Sequence, residues 1–336
     1  MNVVVCTQPG DLELECREAP VPGEGEVLVR IRRVGVCGTD MHIFTGNQPY
    51  LTYPRVMGHE LAGEVAAAPP ESGLVPGDPV YIIPYIACGQ CVACRKAKPN
   101  CCTRIRVLGV HADGGLAEFL SVPHAYVKKA EGITLEQAAM VEFLAIGAHA
   151  VRRAAVGAGQ NVLVVGAGPI GIGVALFSKL NGARVTVLDG RADRLAFCAE
   201  RIGVDAAVAL SDASAGELER LTGGDFFDVV FDATGNPRAM EAGFAYVAHG
   251  GIYVLVSIVA ADISFADPEF HKREMTLMGS RNATAEDFAA VVHAMRAGLV
   301  PTEALHTHSA SLANLPEAFP GWLDPSAGVI KAIVSC

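Results

Sequence analysis

Four thiols fall close together in residues 88–102: Cys88, Cys91, Cys94 and Cys102 are separated by two, two and seven residues. That spacing lets a short loop fold around a tetrahedral ion, and four thiolates gathered so closely make a closed metal site. A redox Cys-x-x-Cys pair is the alternative, and nothing around it provides a thioredoxin-like context. Cys101 is a leftover thiol that could stand in for Cys102. A second set of groups is more dispersed. Residues 37–42, Cys37-Gly38-Thr39-Asp40-Met41-His42, place a thiol, a hydroxyl, a carboxylate and an imidazole within six positions, and His59 and Glu60 are adjacent. Singly, the cysteine reads as a small apolar core residue and the His-Glu pair as a surface hydrogen bond. Together they offer the cysteine, histidine and carboxylate from which a catalytic zinc takes three protein ligands while keeping one position open. Glu142 joins the candidates because it is the only charged residue between Glu136 and Arg152. A carboxylate in such apolar company is costly unless it is paired or metal-bound.

A third pattern binds a phosphate rather than a metal. Residues 161–173 read NVLVVGAGPIGIG, an apolar run into Gly166-Ala167-Gly168-Pro169-Ile170-Gly171 and then a second apolar run. This is strand, tight glycine turn and helix. One glycine bends the chain, the next lets backbone approach a dinucleotide pyrophosphate, and the third lets helix pack on strand. The helix start then turns free N–H groups and partial positive charge toward the anion. Asp189 lies 23 positions after Gly166, at the end of the next apolar run. A carboxylate there accepts ribose hydroxyls and repels a 2′-phosphate, which favours NAD over NADP. Arg191 and Arg194 stand close by and can tolerate that phosphate, so NADP stays open.

The elements that must hold these groups follow from periodicity. From Glu26 the pattern alternates, Val27, Val29 and Ile31 against Leu28, Arg30 and Arg32, as in a half-buried strand that runs into a turn bearing Cys37. Residues 114–119 and Val122 onward predict a further turn and strand, and Thr134 with Gln137 predicts a capping box opening the helix that carries Glu142. Six apolar runs, 162–165, 184–188, 206–210, 226–231, 252–256 and 275–278, alternate with helical stretches, as a doubly wound parallel sheet requires. Thr284 and Asp287 mark another helix start, with Phe288, Val291, Val292 and Met295 as its core stripe and Gly298 as its stop. Residues 328–334 predict a closing strand, and His306, His308 and Trp322 read as structural.

A chain of 336 residues suits two domains. It is 51% hydrophobic, yet its longest apolar run, 162–176, is broken by glycines and a proline and reads as buried strand and helix rather than a membrane span. The first ten residues carry no positive leader, so a soluble cytoplasmic protein is expected. A net charge of −10 without like-charge blocks argues against nucleic acid or anionic membrane as partner. Ten cysteines in a reducing compartment point to metal rather than disulfides.

Taken in order, these motifs resemble the zinc-containing medium-chain dehydrogenases, especially the polyol, sorbitol and threonine dehydrogenase branch. The likeness rests on residues 37–42, on Gly58-His59-Glu60 with Gly63 and Val65, on the four cysteines, on Glu142 with Leu144, Gly147 and His149-Ala150, on the turn at Gly166 and on residues 232–235, Asp-Ala-Thr-Gly. It implies an α/β chain: a GroES-like, mainly-β catalytic domain over residues 1–147 and 284–336 with a structural-zinc lobe at 88–102, and a Rossmann NAD-binding domain, a doubly wound parallel sheet, over 148–283. It implies two zinc ions per chain. The catalytic one falls to Cys37, His59 and either Glu60 or Glu142, with Asp40 orienting the histidine; the structural one falls to Cys88, Cys91, Cys94 and Cys102. Thr39 and His42 match the proton relay, and Gly166, Gly168, Pro169, Ile170, Gly171, Asp189 and Arg194 match the coenzyme site. Residues 269–284 resemble sugar-acid oxidoreductases of the galactonate or gulonate type, and His271, Lys272 and Arg281 could suit a carboxylated substrate; a solvated strand lead-in or subunit contact is the other reading. The expected reaction is oxidation of a secondary alcohol of a polyol or sugar acid to the ketone, by a homodimer or homotetramer. Sorbitol-like or threonine-type activity, a zinc-independent reductase on the same fold and a coenzyme-binding protein without catalysis are the alternatives.

Overall fold

The strand Glu26–Val36 forms because its alternation matches a pleat with one face in the core: Val27, Val29, Ile31 and Val34 are fully buried. In the computed structural model, which describes residues 1–48 and 51–336, it is the centre of a sheet. The order across that sheet is Val127–Lys129, Pro79–Ile82, Glu60–Ala67, Glu26–Val36, Lys331–Ser335 and His306–Ser311, with Phe119–Pro123 also paired to the central strand. Register decides which strand ends meet. Gly35 pairs with Glu60 on one side and Ile333 on the other, so the ends of three strands far apart in sequence come to one place. A side chain at Gly35 would collide with the Glu60 carboxylate, the Cβ falling 2.0 Å from its Oε2. Glycine there is what gives that carboxylate room.

Two compact units are present, Met1–Phe143 with Thr284–Cys336, and Leu144–Ala283. Strand Tyr85–Ile86 pairs with Arg106–Val107 in the first unit, and these short strands bracket the four cysteines. Thr134 and Gln137 make the expected capping box, but the helix they open, Leu135–Ala138, stops after one turn, and Glu142 sits in the first turn of a separate helix, Val141–Arg153. The final strand begins at Lys331 rather than at residue 328, because the short 3-10 turn Pro325–Ala327 ends on Gly328 in the left-handed conformation.

The second unit is a six-stranded parallel sheet in the order Ala206–Ala209, Arg184–Asp189, Asn161–Val165, Phe227–Asp232, Val247–Leu255 and Thr276–Gly279. The strand order reverses between Asn161–Val165 and Phe227–Asp232, both hydrogen-bonded and parallel. Open α/β sheets bind ligands at such a switch point, beyond the carboxyl ends of the strands, where the glycine turn lies. The apolar run expected at 252–256 belongs to a longer strand starting at Val247, whose register with its neighbour shifts between Phe227 and Val229. No helix among the described residues is long and apolar enough to cross a membrane.

Candidate active site

Cys37 follows the central strand directly and is the N-cap of a helix, Gly38–Phe44, where a turn was expected. Its Sγ accepts the Thr39 N–H at 3.2 Å, and Asp40 Oδ2 accepts the Cys37 N–H at 3.0 Å, a capping box with a thiol in the place of a hydroxyl. Asp40 is buried, and its other oxygen accepts the Gly58 N–H at 3.2 Å. One carboxylate therefore ties the residue before His59 to the loop that carries Cys37. Across this tie, Cys37 Sγ lies 3.0 Å from His59 Nε2. His59 Nδ1 faces Asp40 Oδ1 at 3.8 Å, within ion-pair range but too far for a hydrogen bond, and has no hydrogen-bond partner among the described residues. Thr39 and His42, three positions apart on the same helix, share a face; Thr39 is half-buried and His42 exposed.

The two candidate carboxylates are held differently. Glu60 receives Lys331 Nζ on both oxygens, at 2.6 and 2.7 Å, and the same ammonium donates to Val36 O at 3.1 Å. Both side chains are fully buried, and Lys331 also lies 4.2 Å from the centre of the Phe143 ring. Glu142, also buried, accepts the phenol O–H of Tyr85 on Oε1. Burial pushes the Cys37 thiol up while His59 pulls it down; for His59 burial acts downward but is outweighed by Cys37 and Asp40, so the imidazole holds its proton well above its ordinary range. Burial also raises Glu60 against the pull of Lys331, and raises Tyr85 well above the usual phenol, with Glu142 adding to it.

Zinc fits this donor set. The ligand atoms of Cys37, Asp40 and His59 lie within 4.8 Å of one another, as do those of His59, Glu60 and Glu142. Four acidic groups are thereby packed around one histidine, with Lys331 committed to only one of them, and a divalent cation is the natural compensation. Metal on Nε2 would also fix the proton on the orphaned Nδ1, facing Asp40, as a ligand histidine requires. Nothing in the sequence pattern pointed to Tyr85, and nothing paired Lys331 with the site. The one available signal was Lys331 itself, a lone charge in the apolar run Val329-Ile330-Lys331-Ala332-Ile333-Val334.

The tetracysteine lobe is assembled in the same unit. Cys88, Cys91, Cys94 and Cys102 place their sulfurs within 4.8 Å of one another, whereas Cys101 is exposed and outside the group. Cys102 Sγ accepts backbone N–H groups from Cys88 and Arg104, each at 3.3 Å. Backbone donors bring Cys91 down to about 5 and Cys88 to about 7, while burial raises Cys94 to about 11. Such donors favour thiolate and hence metal.

In the coenzyme unit Gly166 has φ +96°, and a Cβ on Gly171 would fall 1.8 Å from Gly166 O, so both glycines are required by the turn. Gly168 is different. It is the N-cap of Pro169–Leu180, with Pro169 at the first helical position and Ile170 next, and a Cβ on it would meet nothing. No packing among the described residues requires it, and its position matches the second glycine of a phosphate turn. Asp189 closes Arg184–Asp189 and accepts the Ala167 N–H at 2.6 Å and the Arg191 N–H at 2.7 Å, which fixes the carboxylate against the turn. Arg194 is buried behind it, its basicity lowered by burial and by Arg191. His271 and Lys272 are exposed on the helix Asp267–Lys272, Lys272 lies 3.7 Å from Glu269, and Arg281 is exposed after the last strand.

Residues 23–132 match the alcohol dehydrogenase GroES-like domain, and residues 169–297 match the zinc-binding dehydrogenase domain. Over its full length the chain is 44% identical to L-galactonate-5-dehydrogenase of Escherichia coli K12, covering 99% of that protein. It is 30% identical, over 95% of this chain and 94% of the other, to 2-dehydro-3-deoxy-L-galactonate 5-dehydrogenase of Pseudoalteromonas atlantica. An E. coli CFT073 alcohol dehydrogenase, rspB, solved with NADH, superposes with a TM-score of 0.93 at 30% identity, over 100% of this chain and 99% of that one. The chain belongs to the zinc-containing medium-chain dehydrogenases and is an NAD(P)-linked alcohol dehydrogenase.

Proposed function

We propose that this dehydrogenase oxidises a secondary alcohol of a hexonate, a sugar acid of the galactonate or gulonate type, to the ketone. The observation that carries this reading is the 44% identity to an L-galactonate-5-dehydrogenase across the whole chain. Cys37, His59 and Glu142 hold the catalytic zinc, and Cys88, Cys91, Cys94 and Cys102 hold the structural one. When bound, zinc polarises the substrate hydroxyl as a Lewis acid and NAD accepts the hydride. The chain's own residues do the rest. Thr39 takes the hydroxyl proton and passes it along its helix face to His42, which releases it to solvent. Asp40 keeps Cys37 and His59 in register. Gly168 leaves room for the pyrophosphate, and Asp189 accepts the ribose hydroxyls, which favours NAD; Arg194 leaves NADP as the second coenzyme. His271, Lys272 and Arg281 are candidates for the substrate carboxylate. The protein acts in the cytoplasm as a homo-oligomer.

The test is NAD reduction by the zinc-replete protein across a panel of aldonates and neutral polyols, with and without chelator. Hexonates are expected to give the highest kcat/KM, and chelator to abolish turnover. Preferential turnover of neutral polyols would overturn the substrate assignment. Cys37→Ser is expected to remove turnover while NADH still binds.

A further inference from the structure

Glu142 and Glu60 compete for one role, and what holds each of them separates the two. Glu60 has both oxygens on Lys331, so its charge is already matched within the fold. Glu142 engages only Oε1, through the Tyr85 phenol, and no hydrogen bond reaches its other oxygen among the described residues. We propose that Tyr85 is a positioning residue: by donating its O–H to Oε1 of Glu142 it leaves Oε2 as the oxygen offered to the metal beside Cys37 and His59. The proposal rests on the reading of Glu142 as a zinc ligand and adds the group that aims it.

An ordinary buried tyrosine would satisfy its hydroxyl on any nearby carbonyl. Here the acceptor is a buried carboxylate of the site that, unlike Glu60, is not matched by a lysine and, unlike Asp40, is not tied to backbone N–H groups among the described residues. The ring is fixed independently of that bond. It meets Phe288 edge-on, with centroids 6.1 Å apart, and Phe288, fully buried on the helix Ala285–Arg296, is stacked at 6.0 Å on Tyr81. Backbone pairing of Tyr85–Ile86 with Arg106–Val107 sets the position of its Cα. A donor held by the sheet and by an aromatic cluster presents its O–H at a fixed point, and the carboxylate on the less constrained glutamate must come to it. Partners that orient a ligand in this way are worth roughly 10–100-fold in metal affinity.

The experiment is Tyr85→Phe, which removes the O–H and keeps the ring. Cobalt(II) is exchanged into the catalytic position, and its affinity and visible absorption are read alongside NADH binding and retention of the tetracysteine metal. A loss of about 10–100-fold in affinity is expected, with an altered cobalt spectrum, unchanged NADH binding and the tetracysteine metal in place. In a Glu142→Gln background the same change should add less than about twofold, because coupled partners are not additive. If Glu142→Gln alters affinity and spectrum but Tyr85→Phe leaves both at the parent values, the role of Tyr85 is refuted and the ligand reading survives. If Glu142→Gln alters neither, the ligand reading falls and Tyr85 with it. A second measurement needs no variant. In the unaltered protein carrying ring-labelled tyrosine, filling the catalytic position with zinc should shift one of the seven tyrosine Cζ resonances, and the absence of any shift also overturns the proposal.

Discussion

Lys331 is a side chain that the rest of its strand does not explain. It is fully buried between apolar neighbours, and it reaches Glu60 across 271 positions of sequence. Replacing one partner of such a pair leaves the other charged and dry, which costs about 3–5 kcal/mol. Lys331→Met is therefore expected to melt well below the parent, and Glu60→Gln added to it to recover much of the loss; equal melting of single and double variants would deny the pairing its energetic weight. A second buried carboxylate gives a pH signature. Asp232 is raised to about 6 by burial, against the donors of Thr234, which lower it. Its ionised form is penalised in the fold, so near pH 8 the native state bears a cost of about 3 kcal/mol. As pH falls through 6 the native state takes up a proton before the unfolded chain does, and the cost disappears. Asp232→Asn, whose amide oxygen still accepts from Thr234, should thus melt above the parent at pH 8, with the gap closing by pH 4. A gap independent of pH would contradict the burial argument.

Elements were legible in the sequence where their signal was local. The inner parallel strands Arg184–Asp189, Asn161–Val165 and Phe227–Asp232 read as apolar runs because both of their faces are buried, and the glycine turn is a contiguous pattern. The stripe Phe288, Val291, Val292 and Met295 is buried as its spacing requires. Partners joined by sheet register were not legible. Lys331 meets Glu60 only because Gly35 aligns with both Glu60 and Ile333, and Tyr85 meets Glu142 only because two elements 57 positions apart pack together. No window on the sequence contains either pair. Cys37 shows the same limit at shorter range. Thiols are not usual helix caps, so the strand end at Val36 read as a turn rather than as a helix start. The glycine turn itself can be tested as an element. Gly171→Ala puts a Cβ into Gly166 O and should disrupt the turn and lower stability, whereas Gly168→Ala meets nothing in the protein. Gly168→Ala is expected to melt like the parent and to bind NADH about tenfold or more weakly, as a methyl group in the path of the pyrophosphate dictates. Undiminished NADH affinity in Gly168→Ala would remove the pyrophosphate from that position.

At the scale of the whole molecule, the edge of the coenzyme sheet, beyond which no further strand pairs among the described residues, matters most. Thr276–Gly279 is its last strand, bonded to Val247–Leu255 on one side, with Leu277 40% exposed. An exposed strand edge with an apolar side chain is a template for pairing with another chain, and monomeric proteins usually blunt it with lysine, proline or a bulge. None of these occurs within residues 276–279, Thr-Leu-Met-Gly. Each chain carries a net charge of −10, so two copies repel at long range. Association must then come from backbone pairing and apolar burial at short range, and it should strengthen with salt as the repulsion is screened. Leu277→Lys places on this edge the charge that natural sheets use to prevent pairing. Sedimentation at micromolar concentration should show the parent as a dimer or tetramer and the lysine variant shifted toward smaller species, with its catalytic zinc still bound. A parent that sediments as a monomer at high salt would end the assignment, and a variant that sediments like its oligomeric parent would move the interface elsewhere.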